Sequence, residues 1–141
     1  MWVGIFLALD YGEKRTGIAV TDINKIIASG HIALSTKEVI PYLIKYCEKN
    51  LVEKFIIGHP KKYNNSESQV EAKIKNFIKK LNLYLPKVPI VRHDERFTSK
   101  IASNVILESG VNKRKRKDKF LVDKVSATIL LQSYLFTQNN I

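Results

Sequence analysis

The stretch from residue 5 to residue 22 constrains the fold more than any other part of the chain. A run of five apolar residues ends in Asp10, a polar turn with Gly12, Lys14 and Arg15 follows, and a second apolar run comes next. Short apolar runs bounded by turn residues are typical of buried strands, and the turn is too long for a two-residue hairpin. The segment predicts strands at 4–10 and 16–22, with a carboxylate at the end of the first.

Two interpretations of Asp10 are open at this point. A strand-end Asp commonly hydrogen-bonds its own turn and so terminates the strand. Alternatively, a carboxylate at the tip of a stiff strand, beside the cations Lys14 and Arg15, could hold a metal ion over a phosphate. The remainder of the chain has to decide between them.

The rest of the chain alternates between strand and helix patterns. Further strands are predicted at 28–35, 54–58 and 88–93, and helices at 37–49, from the Ser66–Gln69 capping box to Leu81, from Thr98 to Gly110, and at 119–137. Short connections make the first three strands antiparallel, whereas strands separated by whole helices pair in parallel. The sequence predicts one α/β domain over residues 1–141, with a mixed five-stranded sheet flanked by helices.

The start of the 37–49 helix carries conflicting signals. Ser35 and Glu38 have the spacing of a capping box, which satisfies free backbone N–H groups at a helix start. Pro41 follows within the same segment and indicates a first turn slightly later. Both features are kept as predictions.

Charge is the strongest compositional signal. The chain has 24 Lys and Arg against 13 Asp and Glu, a net charge of +11. Such a balance favours polyanionic partners, nucleic acid ahead of an acidic membrane surface, although it could serve solubility alone. No apolar run reaches the roughly 18 residues of a membrane span, and the N-terminus lacks the pattern of a signal peptide. The single Cys47, expected as a small core residue, fits a reducing cytoplasm.

Acidic residues stand where the apolar pattern does not explain them. Asp10 ends the first strand, Asp94 and Glu95 end the last strand, and Asp123 lies in the final helix before the small residues Ser126 and Ala127. If both strands end at one edge of the sheet, their carboxylates converge there, and a helix pressed against that edge would add Asp123.

Clustered carboxylates without Cys or His favour Mg²⁺ or Mn²⁺ over zinc. On a basic protein, this donor set indicates metal-dependent hydrolysis of a phosphodiester. Each acid also has a structural alternative: Asp123 could pair with Lys119 or Lys124, and Asp94 could cap the following helix.

Short blocks along nearly the whole chain resemble the YqgF family of RNase H-like proteins, known as Holliday junction resolvases and pre-16S rRNA nucleases. These blocks are Asp10-Tyr11-Gly12, Arg15-Thr16-Gly17-Ile18-Ala19-Val20, Gly58 with Pro60, Asp94-Glu95-Arg96 with Thr98, Val122-Asp123-Lys124 with Ala127, and Leu131-Gln132-Ser133-Tyr134. The resemblance implies an RNase H-like fold and the catalytic, metal-binding acids Asp10, Glu95 and Asp123. The preference for Glu95 over Asp94 comes from the resemblance alone, so Asp94 stays a possible ligand on the residues themselves.

The loop after the fourth strand departs from the family pattern. It has Gly58-His59-Pro60 where the family has Gly-Leu-Pro, and Asn64-Asn65 where a later glycine is usual. Asn tolerates a left-handed backbone, so the loop shape can persist. His59 is expected as a partly exposed loop residue, with contact to substrate as the alternative.

Basic side chains flank the acids. Lys14 and Arg15 follow Asp10, Arg96 follows Glu95, and a basic run precedes Asp123: Lys113, Arg114, Lys115, Arg116 and Lys117. These residues are predicted to bind a nucleic-acid backbone, the run acting as a clamp. The alternatives are a solvated loop for the run, and neutralisation of the acids by Lys14, Arg15 or Arg96. Tyr11 and Phe97 could stack on bases, but core packing is expected for both.

The preferred hypothesis is a cytoplasmic, metal-dependent nuclease that matures the 5′ end of 16S rRNA. Resolution of four-way DNA junctions is the second hypothesis, and a two-fold dimer would favour it over a monomer. A non-catalytic nucleic-acid-binding module is the third. An actin-like ATPase also opens with an Asp-x-Gly turn, but the chain is too short for its two lobes.

Overall fold

A computed structural model describes residues 4–59, 69–94 and 118–139 of the chain. Its strands are β1 (Ile5–Asp10), β2 (Arg15–Thr21), β3 (Ala28–Ser35), β4 (Val52–His59) and β5 (Ile90–Asp94). Its helices over those ranges are α1 (Thr36–Lys49), α2 (Gln69–Tyr84) and α3 (Lys119–Asn139). The predicted helix from Thr98 to Gly110 and the capping residue Ser66 lie outside the described residues.

The five strands form one sheet in the order β3-β2-β1-β4-β5. β1 pairs antiparallel with β2, as β2 does with β3, whereas β1, β4 and β5 run parallel. The predicted mixed sheet is therefore confirmed, including its antiparallel first three strands. Because β1, β4 and β5 are parallel, their carboxyl ends share one edge, which carries Asp10, His59 and Asp94. We call it the catalytic edge after Asp10, the acid for which the family resemblance predicts a catalytic role.

The two faces of the sheet pack against different helices. Alternate residues of β1, Leu7 and Leu9, belong to the core beneath α1 and α2, while Ala8 faces α3. The residues of the larger core include Ile18, Val39, Leu43, Phe55, Ile57, Ile74 and Leu81. Those on the other face include Ala19, Ile56, Ala127, Leu130 and Leu131. The small alanines on the α3 side allow this helix to approach the sheet closely.

The start of α1 differs from the prediction. Ser35 is the N-cap residue but its side chain makes no capping hydrogen bond, and Pro41 lies inside the helix, which begins at Thr36. Instead, the Thr36 backbone N–H donates to the Lys14 carbonyl and the Thr36 hydroxyl donates to the Gly12 carbonyl. The turn after β1, rather than a capping box, therefore anchors this helix end.

Several strand boundaries also differ from the prediction. β2 begins at Arg15, so this cation belongs to a strand and not to the turn. β4 begins at Val52 and extends through Gly58 and His59, and β5 begins at Ile90. No helix among the described residues has the length and apolarity needed to cross a membrane.

Candidate functional site

Asp10 and Asp123 meet around Gly17 at the catalytic edge. Asp10 is the register partner of Gly17 in the β1–β2 pair. A Cβ atom added to Gly17 would lie 1.9 Å from the Asp123 backbone oxygen, so α3 presses directly on β2 at this position. Cross-strand partners face the same side of a sheet. Asp10 therefore faces the side of the sheet that α3 covers, next to Asp123.

The small residues that follow Asp123 make this approach possible. Ser126 and Ala127 are both buried against the sheet. The prediction that small residues mark a helix face pressed onto the sheet edge is confirmed. The pattern had not indicated that Gly17 supplies the matching gap in β2.

Arg15 contacts one of these acids, Asp123. Its Nε donates to Oδ2 of Asp123 at 2.8 Å, with the two side chains 28% and 22% exposed. The guanidinium also lies 6.0 Å from the ring centroid of Phe120. Of the alternatives open for Arg15, neutralisation of an acid is the one seen, and Asp123 pairs with this residue rather than with Lys119 or Lys124.

The turn between β1 and β2 is held by contacts on both sides. A Cβ atom on Gly12 would lie 2.4 Å from the Arg15 carbonyl oxygen, so the turn closes tightly over this glycine. Thr36 bonds the carbonyls of Gly12 and Lys14, and its hydroxyl also contacts that of Thr16. Lys14 itself is exposed. The turn is thus a fixed support that holds the exposed Lys14 at the catalytic edge.

Asp94 lies on the opposite face of β5 from α3. Arg92 contacts Glu71 of α2, and His93 contacts Ser133 of α3, so alternation puts Asp94 on the α2 side. Asp94 is also the register partner of His59, two strands away from Asp10. Asp94 is therefore poorly placed to join Asp10 and Asp123.

Several predicted site residues lie outside the described residues. They are Glu95, Arg96, Lys113, Arg114, Lys115, Arg116 and Lys117, together with Phe97. Their roles stay predictions. Within the described ranges, no three side chains of His, Cys, Asp or Glu form a group that could hold a metal ion.

A buried ion pair beside the catalytic edge was missed by the sequence analysis. Glu71 is 1% exposed and accepts two hydrogen bonds from the Arg92 guanidinium, at 2.7 and 2.9 Å. Arg92 also donates to the carbonyls of Ile57 and Gly58, and so ties the ends of β4 and β5 together. The Arg92 hydrogen bonds lower the pKa of the Glu71 carboxyl, against the opposing effect of burial.

His59 belongs to the same cluster. It ends β4, and its Nε2 lies 3.3 Å from Oε2 of Glu71. The expected partial exposure is confirmed, since the His59 side chain is 28% exposed. The expected placement in a loop is wrong, because the strand continues to this residue and α2 supplies a partner. A signal for Glu71 was available: with Ile74 and Ile78 it recurs at helical spacing on the buried side of α2.

Tyr11 packs as expected. Its ring lies 5.2 Å from that of Phe77, at the border of the core beneath α1 and α2. Cys47 also packs against this core, and burial raises the pKa of its thiol, which makes the thiol less reactive. On the α3 side, burial lowers the pKa of His93, with Asp94 opposing the shift.

The donor set suits a hard divalent cation. Asp10 and Asp123 supply carboxylate oxygens on one side of the catalytic edge, and Arg15 donates a hydrogen bond to the Oδ2 oxygen of Asp123. The positive charge of Arg15 stabilises the ionised form of the Asp123 carboxylate, as a bound cation would. Carboxylate ligands without sulfur or imidazole suit Mg²⁺ or Mn²⁺.

Comparison with known families matches residues 4–137 to the model described as "RuvX: Holliday junction resolvase". A relative from Phocaeicola vulgatus is 48% identical over 129 residues, which cover 92% of this chain and 93% of the relative. Another, from Porphyromonas gingivalis, is 48% identical over 133 residues, or 94% and 96% of the two chains. Both carry the name "Putative pre-16S rRNA nuclease".

Two solved structures of RuvC share the fold. RuvC of T. thermophilus in complex with a Holliday junction substrate superposes with a TM-score of 0.59, at 11% identity and with 97% of this chain covered. A second structure of Thermus thermophilus RuvC gives a TM-score of 0.56 at 10% identity. At this identity the likeness concerns the RNase H-like fold alone.

Proposed function

The chain belongs to the RuvX family, also called YqgF, and we propose that it hydrolyses phosphodiester bonds in structured nucleic acid with Mg²⁺ or Mn²⁺. The observation that carries the proposal is that Asp10 and Asp123 both lie beside Gly17 on the α3 side of the sheet, where Arg15 pairs with Asp123. Bringing like charges together costs free energy unless a cation binds there. A divalent ion is the cation that would also serve hydrolysis.

Asp10, Asp123 and Glu95 would hold the metal. Glu95 is preferred to Asp94, because Asp94 shares the α2 side of β5 with Arg92. A bound divalent ion would supply activation of water and stabilisation of the leaving oxygen. The chain's own cations, Lys14 and Arg15, would bind the phosphates on either side of the cut.

The remaining basic residues extend the same role. Arg96 is proposed as a phosphate contact next to Glu95. The run of Lys113, Arg114, Lys115, Arg116 and Lys117 is proposed as a clamp on the backbone upstream of Asp123. Polyphosphate would relieve the mutual repulsion of such a run.

Maturation of the 5′ end of pre-16S rRNA is the proposed reaction in the cell, supported by the names of relatives at 48% identity. The alternative is Holliday junction resolution, favoured by the family description and by the shared fold of RuvC. Junction cleavage needs two symmetric cuts, so it requires a dimer. We propose a cytoplasmic protein of one domain over residues 1–141.

The first prediction concerns cleavage by purified protein with Mn²⁺ or Mg²⁺. Precursor rRNA, single-stranded RNA and a four-way DNA junction are each tested with the parent protein and with Asp10→Asn, Glu95→Gln and Asp94→Asn. Loss of a metal-ligating or catalytic carboxylate is expected to slow cleavage at least about 100-fold, whereas Asp94→Asn is expected to retain most activity.

Three results would contradict this assignment. Cleavage at the parent rate by both Asp10→Asn and Glu95→Gln would exclude the proposed acids. A strong loss of cleavage in Asp94→Asn, with little loss in Glu95→Gln, would mean that Asp94 and not Glu95 is the metal ligand. Binding without cleavage of any substrate would leave the third hypothesis, a non-catalytic binding module.

A further inference from the structure

A groove between α1 and α2 opens at the catalytic edge, on the opposite side of the sheet from Asp123. It encloses about 400 Å³ and is lined by Tyr11, Thr36, Lys37, Phe77 and two further lysines of α2. Tyr11 directly follows Asp10, so the groove begins one residue from the proposed metal site. Thr36 also joins the groove to the turn through its bonds to Gly12 and Lys14.

The charged side chains that line the groove are all cations, Lys37, Lys73 and Lys80. Lys73 makes an ion pair with Glu13 of the turn. Among residues 4–59, 69–94 and 118–139, no carboxylate forms an ion pair with Lys37 or Lys80. The groove therefore concentrates positive charge that the described part of the chain does not balance.

Lys37 adds to this excess. It is the second residue of α1, where the helix dipole already presents partial positive charge. A lysine at that position is unfavourable by itself, although the neighbouring Glu38 supplies a negative charge in the same turn. On α2, Lys73 and Lys80 are seven residues apart, or about two turns, and lie on the same side of the helix. The cations thus face one another across the groove.

We propose that this groove binds the backbone of the nucleic-acid strand that extends beyond the cleavage site. Lys37, Lys73 and Lys80 contact successive phosphates, while Tyr11 and Phe77 form an apolar floor beneath the sugars. The strand passes around the catalytic edge from the α3 side to the α1–α2 side. The inference rests on the proposed function for its substrate class, but not on cleavage itself.

The second prediction concerns binding in EDTA, where no divalent ion is present to support cleavage. One variant has three groove lysines replaced by Gln, and a control has the same change in net charge at three exposed lysines far from the catalytic edge. The groove variant is Lys37→Gln/Lys73→Gln/Lys80→Gln, and the control is Lys45→Gln/Lys49→Gln/Lys87→Gln. Fluorescence anisotropy follows binding to single-stranded RNA and to a four-way DNA junction across KCl concentrations.

The groove variant is expected to bind at least about tenfold more weakly at low salt. The slope of log affinity against log salt should fall by about two, because each phosphate contact contributes about 0.7 to 0.9 to that slope. The control triple should change both quantities much less. Comparing the two nucleic acids distinguishes an RNA strand from a DNA strand as the preferred occupant.

A single variant tests the proposal in the opposite direction. Glu13→Gln removes the carboxylate that pairs with Lys73, so it should leave binding unchanged or strengthen it. An equal loss of nucleic-acid affinity in the groove triple and the control triple would overturn the proposal, provided that urea unfolding shows both variants to be folded. Loss of binding to anionic vesicles but not to either nucleic acid would also overturn it, since a membrane would then be the occupant.

Failure of the groove and failure of the nuclease assignment give different results. If the protein binds nucleic acid through the groove but cleaves no substrate, the groove proposal is supported and the nuclease assignment is contradicted. If it cleaves in an Asp10-dependent manner and both triples bind alike, only the groove is excluded.

Discussion

Arg15 is the residue that most directly reports the electrostatics of the candidate site. It alternates with Gly17 and Ala19 along β2, so it faces α3 and reaches Asp123. Because both side chains are about a quarter exposed, this ion pair contributes at most about 1 kcal/mol to folding. Because the pair is weak, Arg15 would be able to leave Asp123 and bind a phosphate when the proposed metal ion binds the Asp123 carboxylate.

The third prediction is that Arg15→Gln strengthens binding of Mn²⁺ and weakens binding of nucleic acid. Arg15 and the metal compete for Asp123, so releasing a pair of up to about 1 kcal/mol should raise Mn²⁺ affinity up to about fivefold. Isothermal titration with Mn²⁺ measures the first effect, and anisotropy measures the second.

Lys14→Gln is the matched control. It removes the charge of the exposed residue directly before Arg15, and it should change Mn²⁺ affinity much less. An unchanged or lower Mn²⁺ affinity in Arg15→Gln would mean that Asp123 does not hold the metal.

At the scale of elements, the contact between α3 and β2 decides where Asp123 lies. Gly17 and Gly30 are the points at which an added Cβ atom would meet α3. At Gly17 it would meet backbone, 1.9 Å from the Asp123 oxygen. At Gly30 it would meet side chains, 2.9 Å from Cγ of Lys124 and 3.0 Å from Oγ1 of Thr128. Backbone has to move as a unit, whereas the Lys124 side chain can turn away.

The fourth prediction compares Gly17→Ala with Gly30→Ala. Overpacking against the α3 backbone should destabilise Gly17→Ala by about 2 to 3 kcal/mol, and the same methyl at Gly30 by less than about 1 kcal/mol. Urea unfolding measures both, and Mn²⁺ titration should show a loss only in Gly17→Ala. A similar loss of unfolding free energy in the two variants would mean that the α3 backbone does not press on Gly17.

At the scale of the whole molecule, a buried carboxylate, Glu71, lies within a strongly cationic chain. Glu71 is held by Arg92 from β5 and faces His59 from β4, so it joins α2 to two strands of the catalytic edge. Since Arg92 lowers the pKa of Glu71, the ionised form stabilises the fold. That contribution is present above the ordinary pKa of 4.5 and is lost as pH falls toward the lower, folded-state value.

The fifth prediction is that Glu71→Gln lowers stability at pH 7 and flattens its dependence on pH below 4.5. Removing one partner of a buried pair should cost about 3 kcal/mol, because Arg92 then keeps an unpaired charge. Urea unfolding at pH 7, 4.5 and 3.5 tests both effects. Glu48→Gln, on an exposed residue of α1, is the control and should change little. A parallel decline of the Glu71→Gln and parent curves would contradict the role of Glu71.

The residue pattern by itself predicted the five strands and the mixed sheet, which the structure confirms, and it singled out Asp10 and Asp123 as candidate site residues. Apolar periodicity and turn residues are local properties, and the length of each connection limits how neighbouring strands can pair. The small residues Ser126 and Ala127 even indicated which helix face approaches the sheet. The ends of the strands were predicted less accurately. For example, pairing with β1 and β5 extends β4 to His59, one residue beyond its predicted end.

Only the tertiary structure decided which charges meet. The strand order put β4 between Asp10 and Asp94, and alternation along β5 turned Asp94 toward α2. Packing also joined Arg15 to Asp123 across 108 positions, and Glu71 to Arg92 across 21. Such contacts depend on the relative placement of whole elements, which no local pattern encodes. The sequence therefore predicted which residues could carry the chemistry, and the packing of α3 on Gly17 decided that two of them, Asp10 and Asp123, lie on the same side of the sheet.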